Sequence, residues 1–439
     1  LETRFASLRL LIAVSLLVGI VPAVNLGCRK PPAIIVKKRV PSVIYDTRYE
    51  QLLQETDRPL LRDAWGPYVE TLDEPVAVVA AAGRATTWEV FFATNRGLEA
   101  STAATRQQRF GNAVLPVPSF GRAEVHIPFR RRGESPEIHS ESLEIRGESP
   151  ELQAAKASGI DPLTLARFES VQSVSRADFA AGIARQVEAS RQRDLLLFVH
   201  GFNVDFESSL VRTAQVALDL PFNGAVVSYS WPSQGGVTHY QADEQVNANS
   251  VAPFVEFLKE LLVAMPPECR VNIVVHSMGN RLVLQALEQL PHPARQKPIA
   301  NLVLCAPDVG VRDFQRLAPA ATTQAERVTL YASTGDSALI VSKSVHREQR
   351  AGDSSPPVVV PGIDTIDVSA VDFDFMGHSY YGSNVDVLAD LFRIVKEGRA
   401  SSTCAYLTRH EQNGNPYYYF SHYGDVLHWT WHFEETLRR

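Results

Sequence analysis

The residues best suited to chemistry lie in His276-Ser277-Met278-Gly279-Asn280, directly after the apolar run Val271 to Val275. A serine at a sharp turn from strand into helix is thrust out of the sheet, and small neighbours let the chain turn that tightly. Its hydroxyl also lies at a helix N-terminus, whose partial positive charge favours a developing oxyanion. Serine is nearly inert at neutral pH, so nucleophilic work needs a base, a group to orient that base and N–H donors for the oxyanion. Helix capping is the bland alternative for Ser277. The succession of strand, His-Ser-Met-Gly turn and amphipathic helix favours the nucleophile.

Such groups need a scaffold, and from Asp194 onward apolar runs alternate with helical periods, the pattern of a parallel sheet covered by helices on both faces. The expected strands are Leu195 to Val199, Ala225 to Tyr229, Val271 to Val275, Leu302 to Leu304, Val328 to Tyr331 and Ile363 to Val368. Between them, Val251, Phe254, Leu258, Leu261 and Leu262 share one helix face, as do Val283, Leu287 and Leu290. A last core helix is expected from about Asn384 to Lys396, with Val387, Leu391 and Ile394 inward. Upstream, Val76 to Ala80, Trp88 to Phe92 and Val125 to Phe129 suggest a small N-terminal β-rich subdomain. Arg132-Gly133-Glu134-Ser135-Pro136-Glu137 returns as Arg146-Gly147-Glu148-Ser149-Pro150-Glu151; two Pro- and Glu-rich copies cannot stack into a solenoid and read as a solvated loop. The expected organisation is an export segment at 1–28, a tether and polar helix at 29–74, the β-rich subdomain at 75–130, and the charged loop at 131–165. The α/β domain follows at 166–400 and an aromatic C-terminal extension at 401–439.

The serine turn resembles the nucleophile elbow of α/β-hydrolases, with Val275 in place of the first glycine of G-x-S-x-G. In that order an acid and then a histidine follow the serine. His346, His378, His410, His422, His428 and His432 come late enough. His378, in Gly377-His378-Ser379-Tyr380 after the last strand, is where a loop could return an imidazole over the elbow. Two acids compete: Asp336 after Val328 to Tyr331, and Asp308 in Ala306-Pro307-Asp308. The family usually draws its acid from the later strand, which puts Asp336 ahead. Met278 would supply one oxyanion amide. His200-Gly201-Phe202-Asn203 resembles a lipase-like oxyanion turn, with Phe202 supplying the other. With Phe91-Phe92-Ala93-Thr94-Asn95-Arg96, Glu124-Val125-His126-Ile127-Pro128 and Tyr229-Ser230-Trp231-Pro232-Ser233, these motifs resemble a bacterial α/β-hydrolase family of unassigned function across most of residues 85–385. The resemblance implies an α/β-hydrolase fold and a lipase- or esterase-like serine hydrolase without a cofactor, acting on a small-molecule or lipid ester. It is silent on which ester. A non-catalytic envelope binding or scaffold protein on the same fold is the alternative. His200, Gly201, Asn203, Trp231, Tyr240 and Asp243 are candidates to line a pocket, although a Trp after a strand is more often core. His428 and His432 could share a helix face, but no third ligand accompanies them and no metal site is expected.

Composition agrees with a soluble globular protein: 439 residues, 45% hydrophobic and 21% charged. A net charge of −6, with no basic block beside stacking aromatics, argues against a nucleic-acid partner. Arg4 and Arg9, the apolar run Leu10 to Val21, Pro22 and Asn25-Leu26-Gly27-Cys28 follow the order of a signal peptide. The final tetrad resembles a lipobox, in which Cys28 would be acylated. An uncleaved anchor over Leu8 to about Leu26 and an ordinary cleavable signal are the alternatives. All three imply export to the cell envelope, the first with a lipid anchor in the membrane. The four cysteines, Cys28, Cys269, Cys305 and Cys404, are too few and too scattered for a disulfide framework.

Overall fold

The computed structural model describes residues 85–99, 110–128, 167–190, 192–220, 222–234, 239–293, 296–334, 339, 342–343, 346–369, 387, 390–391, 393–398, 400–404 and 407–420. The export segment with Cys28, the tether, the run Val76 to Ala80 and the duplicated loop lie outside the described residues.

The strands are β1 (Ala85–Leu98), β2 (Phe110–Pro128), β3 (Arg167–Ser173), β4 (Asp194–Val199), β5 (Ala225–Ser230), β6 (Arg270–His276), β7 (Ile299–Cys305), β8 (Ala325–Ala332), β9 (Asp364–Asp367), β10 (Leu407–Gln412) and β11 (Asn415–Phe420). The helices are α1 (Arg176–Ala189), α2 (Phe206–Asp219), α3 (Tyr240–Asn249), α4 (Val251–Ala264), α5 (Gly279–Glu288) and α6 (Val311–Gln324), followed by a π-helical turn at Arg393–Glu397. All described strands join one sheet in the order β10-β11-β9-β8-β7-β6-β4-β5-β1-β2-β3. Pairing is parallel from β1 through β5, β4, β6, β7 and β8 to β9. The six runs expected as strands are β4 to β9.

Burial on both faces explains why those strands read as unbroken apolar runs. Along β4, Leu195, Leu197 and Val199 face one core while Leu196 and Phe198 face the other. The first core takes Phe179 and Ile183 from α1, Phe254 and Leu258 from α4, Leu282 and Leu287 from α5, and Phe314 from α6. The second takes Leu210 and Ala214 from α2, and Val387, Leu391 and Ile394, the three inward positions expected of the last helix.

The described strands of two segments expected to stand apart join the main sheet. From the β-rich stretch expected at 75–130, β1 pairs in parallel with β5, and β1, β2 and β3 form the antiparallel flank of the same sheet. Alternation is the cause, because neighbouring Phe91 and Phe92 each fill one of the two cores. At the other edge, part of the aromatic extension is sheet. β11 pairs in parallel with β9, burying Tyr418 and Phe420 and covering what would be an open strand edge.

Candidate active site

The chain leaves β6 and turns at Ser277, whose φ of +48° is a conformation that L residues seldom hold. The turn is fixed from both sides. The Ser277 N–H donates to Cys305 O at 2.9 Å, and Ser277 O accepts from the amides of Asn280 and Asp308 and from Asn280 Nδ2. Two glycines allow the surrounding chain to close on it. A Cβ at Gly279 would fall 2.4 Å from His200 O, and one at Gly201 would fall 2.9 Å from Ser277 Cβ. The loop after β4 therefore lies directly against the serine. Met278 occupies the cap position of α5, and no side-chain cap bond is made there. His276, beneath the turn, is pushed down to about 3 by burial, with Arg212 adding to the effect.

The turn His200-Gly201-Phe202-Asn203 is itself rigidly held. Asn203 adopts φ +59°, a left-handed geometry that asparagine tolerates. The amides of Phe202 and Met278, the expected oxyanion donors, meet no backbone acceptor among the described residues. His200 stacks on Trp231 at 5.1 Å between ring centres, and Trp231 Nε1 donates to His200 O at 2.8 Å. Asp243 accepts from Ser233 Oγ at 2.5 Å and from Gln234 N at 2.8 Å, and its oxygens also face the Asn203 amide. Burial raises the Asp243 pKa, and those hydrogen bonds and Arg96 oppose the rise.

Arg96, at the end of β1 and 0% exposed, holds these loops together. Its Nε donates to Ser230 Oγ at 2.9 Å, Nη2 to Val204 O at 2.8 Å, and Nη1 to Ser233 O and Asn112 Oδ1. Burial lowers its pKa to about 10, against the pull of Asp205 and Asp243, so the guanidinium stays charged at neutral pH. Neighbouring Thr94 and Asn95 bond to Ser230 O and Ser250 Oγ. The polar half of the Phe91-to-Arg96 motif thus ties β1 to the loop that ends β5.

On the other side of the elbow stands Asp308, 2% exposed. One carboxylate oxygen takes Tyr240 Oη at 2.5 Å and Arg281 Nη2 at 3.2 Å; the other takes Ser342 Oγ at 2.5 Å and Arg350 Nε at 3.2 Å. Arg281 also pairs with Glu244, which His346 Nε2 approaches at 2.7 Å. Burial works against the Arg281 charge, but Asp308, Tyr240 and Glu244 outweigh it and raise its pKa. Tyr240 is pushed up by burial and by Asp308.

The structure therefore brings Ser277, Met278, Phe202 and the Asp308 cluster together. His378 and Asp336 lie outside the described residues, as do His422, His428 and His432. His346 lies beside Glu244 at the edge of the Asp308 cluster, and His410 sits in the β10–β11 hairpin against Tyr419. Of the pocket candidates, His200, Gly201, Trp231 and Asp243 are buried and brace the turn after β4, Tyr240 anchors Asp308, and Asn203 alone of the six is exposed. Arg96, Arg281 and Arg350 went unread in the sequence. The available signal was an arginine ending a run as apolar as Val90 to Ala93, which must find acceptors if the strand is buried. Among the described residues no group of three or more His, Cys, Asp or Glu could hold a metal ion.

The model of a family described as alpha/beta hydrolase of unknown function (DUF900) matches residues 175–395, from the cap of α1 to the π-helical turn. The uncharacterized protein alr1448 of Nostoc sp. is 27% identical over 127 residues, covering 23% of this chain and 33% of that protein. The chain thus matches a third of that relative's length. Among solved structures, phospholipase PlaB from Legionella pneumophila in complex with thio-NAD is similar at 10% identity and a TM-score of 0.24, over 52% of this chain and 67% of its own. The metagenomic carboxyl esterase MGS0156 is similar at 16% identity and a TM-score of 0.20, over 41% and 50%.

Proposed function

The chain belongs to the DUF900 family of alpha/beta hydrolases, and from that footing we propose that it is an exported serine hydrolase cleaving carboxylic esters through an acyl-enzyme. The observation that carries the reading is Ser277 held at φ +48° between β6 and α5, with the loop after β4 packed against its Cβ. Strain of this kind persists only where surrounding structure enforces it, and it clusters at functional sites.

In the proposed mechanism Ser277 Oγ attacks the ester carbonyl while His378 takes its proton and Asp336 orients the imidazole. The Phe202 and Met278 amides bind the oxyanion of the tetrahedral intermediate. Collapse expels the alkoxide, which takes the proton from His378. Water, activated by the same histidine, then releases the acid. Esters are the default substrate because an alkoxide leaves more readily than an amine.

A fluorophosphonate probe tests this directly. The wild type is expected to be labelled and Ser277→Ala to remain unlabelled. Equal, negligible labelling of both would mean that the fold serves a binding or scaffold role instead. Export and the lipid anchor rest on the order of residues 1–28. Cys28→Ser is expected to release the protein from membranes or leave it unprocessed, and a processed variant that stays in the membrane fraction would refute acylation.

A further inference from the structure

The peptide that carries one proposed oxyanion donor is gripped from behind. His200 Nδ1 lies 2.8 Å from Gly201 O. A carbonyl oxygen only accepts, so the ring must carry its proton on Nδ1. The C=O and N–H of a trans peptide point in opposite directions. A bond that draws Gly201 O toward the imidazole therefore turns the Phe202 N–H away from it. With Nδ1 protonated and the ring neutral, Nε2 is an acceptor, and Ser230 Oγ lies 3.5 Å from it. Ser230 Oγ in turn receives Arg96 Nε–H at 2.9 Å. Arginine has no lone pair to offer, so the serine proton is left for the imidazole. Burial, with the Arg96 charge adding to it, outweighs the backbone bonds to Gly201 and Trp231 and holds His200 well below its ordinary pKa, which keeps the ring neutral.

We propose that Arg96 and His200 are positioning residues of the oxyanion hole. Arg96 orients the Ser230 hydroxyl, Ser230 fixes the His200 tautomer, and His200 sets the direction of the Gly201–Phe202 peptide so that its N–H is free for the oxyanion. The relay crosses three strands: Arg96 ends β1, Ser230 ends β5 and His200 follows β4. Trp231 keeps the ring plane by stacking, and a second Arg96 bond, to Val204 O, fixes the loop just beyond the donor. This inference deepens the serine hydrolase reading and rests on it.

The test compares His200→Phe, His200→Asn and Ser230→Ala in the full chain, using a short p-nitrophenyl ester and the corresponding thionoester. Phenylalanine keeps a ring on Trp231 but loses the donor. Asparagine places Nδ2 as many bonds from Cβ as histidine places Nδ1. His200→Phe is expected to lower kcat on the oxygen ester about 100-fold, the usual loss for one oxyanion donor, with KM changed less than about threefold. His200→Asn is expected to fall by less than about tenfold. Sulfur accepts N–H bonds poorly, so a misdirected donor should lower the rate on the oxygen ester more than on the thionoester, and the ratio of the two rates should drop in His200→Phe. A merely structural defect lowers both rates alike. Ser230→Ala, which removes one hydroxyl, is expected to lose about tenfold with a smaller fall in that ratio, and it carries the test if His200→Phe does not fold. Equal losses in His200→Phe and His200→Asn, or an unchanged ratio in the variants that fold, would overturn the positioning role alone. A wild type as inert as Ser277→Ala toward both esters would overturn the serine hydrolase reading and this inference with it.

Discussion

On the β5 side of the elbow a buried arginine spreads its donors over loop carbonyls, a hydroxyl and an amide, and among the described residues none of its hydrogen bonds goes to a carboxylate. On the β7 side two arginines, a tyrosine and a serine converge on one carboxylate. The pKa directions follow from this. Burial dominates at Arg96 and lowers it, whereas at Arg281 the neighbouring negative groups outweigh burial. The first cluster shapes backbone and the second neutralises charge. Both touch the elbow, the first by bracing the loop that packs on Ser277 and the second through the Asp308 amide bonded to Ser277 O.

The comparison is sharpest for the catalytic acid. Asp308 has both oxygens occupied by fixed partners, the arrangement of a structural ion pair. Asp308→Asn is therefore expected to cost about 3 kcal/mol of stability, because it leaves two buried arginines short of charge. The folded fraction should retain activity within about tenfold if Asp336 orients the imidazole, as proposed. Asp336→Asn should do the reverse, lowering kcat by about 10⁴, the loss a triad shows when its histidine is held in the wrong tautomer. Urea unfolding and kcat measured on both variants decide it. The opposite pattern would make Asp308 the acid and its cluster part of the triad.

A smaller effect probes shape against charge. Arg96→Met strands Val204 O, Ser233 O and Ser230 Oγ in the interior, while the exposed Asn112 Oδ1 turns to water. Each unpaired buried group costs about 1–3 kcal/mol, so a loss of about 3 kcal/mol or more is expected. Arg350 already leaves its Nη2 without a hydrogen-bond partner, and Asp308 would keep Arg281, Tyr240 and Ser342 without it. Arg350→Met should accordingly cost only about 2 kcal/mol. Equal shifts in the urea midpoints would erase the distinction between the clusters.

The same contrast explains what the sequence made legible. Strands β4 to β8 stood out because burial on both faces leaves continuous apolar runs, and Ser277 stood out because its left-handed turn needs small neighbours such as Gly279. The antiparallel flank was legible as strands but not as part of the main sheet, since nothing local says that β1 pairs with β5. The buried clusters were illegible for the same reason: Arg96 and Ser230 lie 134 residues apart and follow no period. Trp231 and Asp243 were visible as unusual residues after a strand, but composition does not tell which way a side chain faces. Both are fully buried.

The smallest effect separates the two sides by acid. His200, on the β5 side, has a folded pKa well below its ordinary value, and His276 under the elbow is held near about 3. Between its folded value and about 6.5 each histidine takes up a proton only on unfolding. The unfolded chain then binds more protons, so stability rises with pH across that window and is lost as pH falls through it. Each contributes a slope of at most about 1.4 kcal/mol per pH unit. The arginines of the β7 side do not titrate there. Urea unfolding of the wild type between pH 6.5 and 5 should therefore show falling stability, and His200→Asn should flatten that fall by one histidine's share. Arg350→Met should instead run parallel to the wild type at lower stability. A His200→Asn profile parallel to the wild type would mean that this imidazole already carries its second proton in the folded protein, against the Ser230 hydroxyl turned toward Nε2.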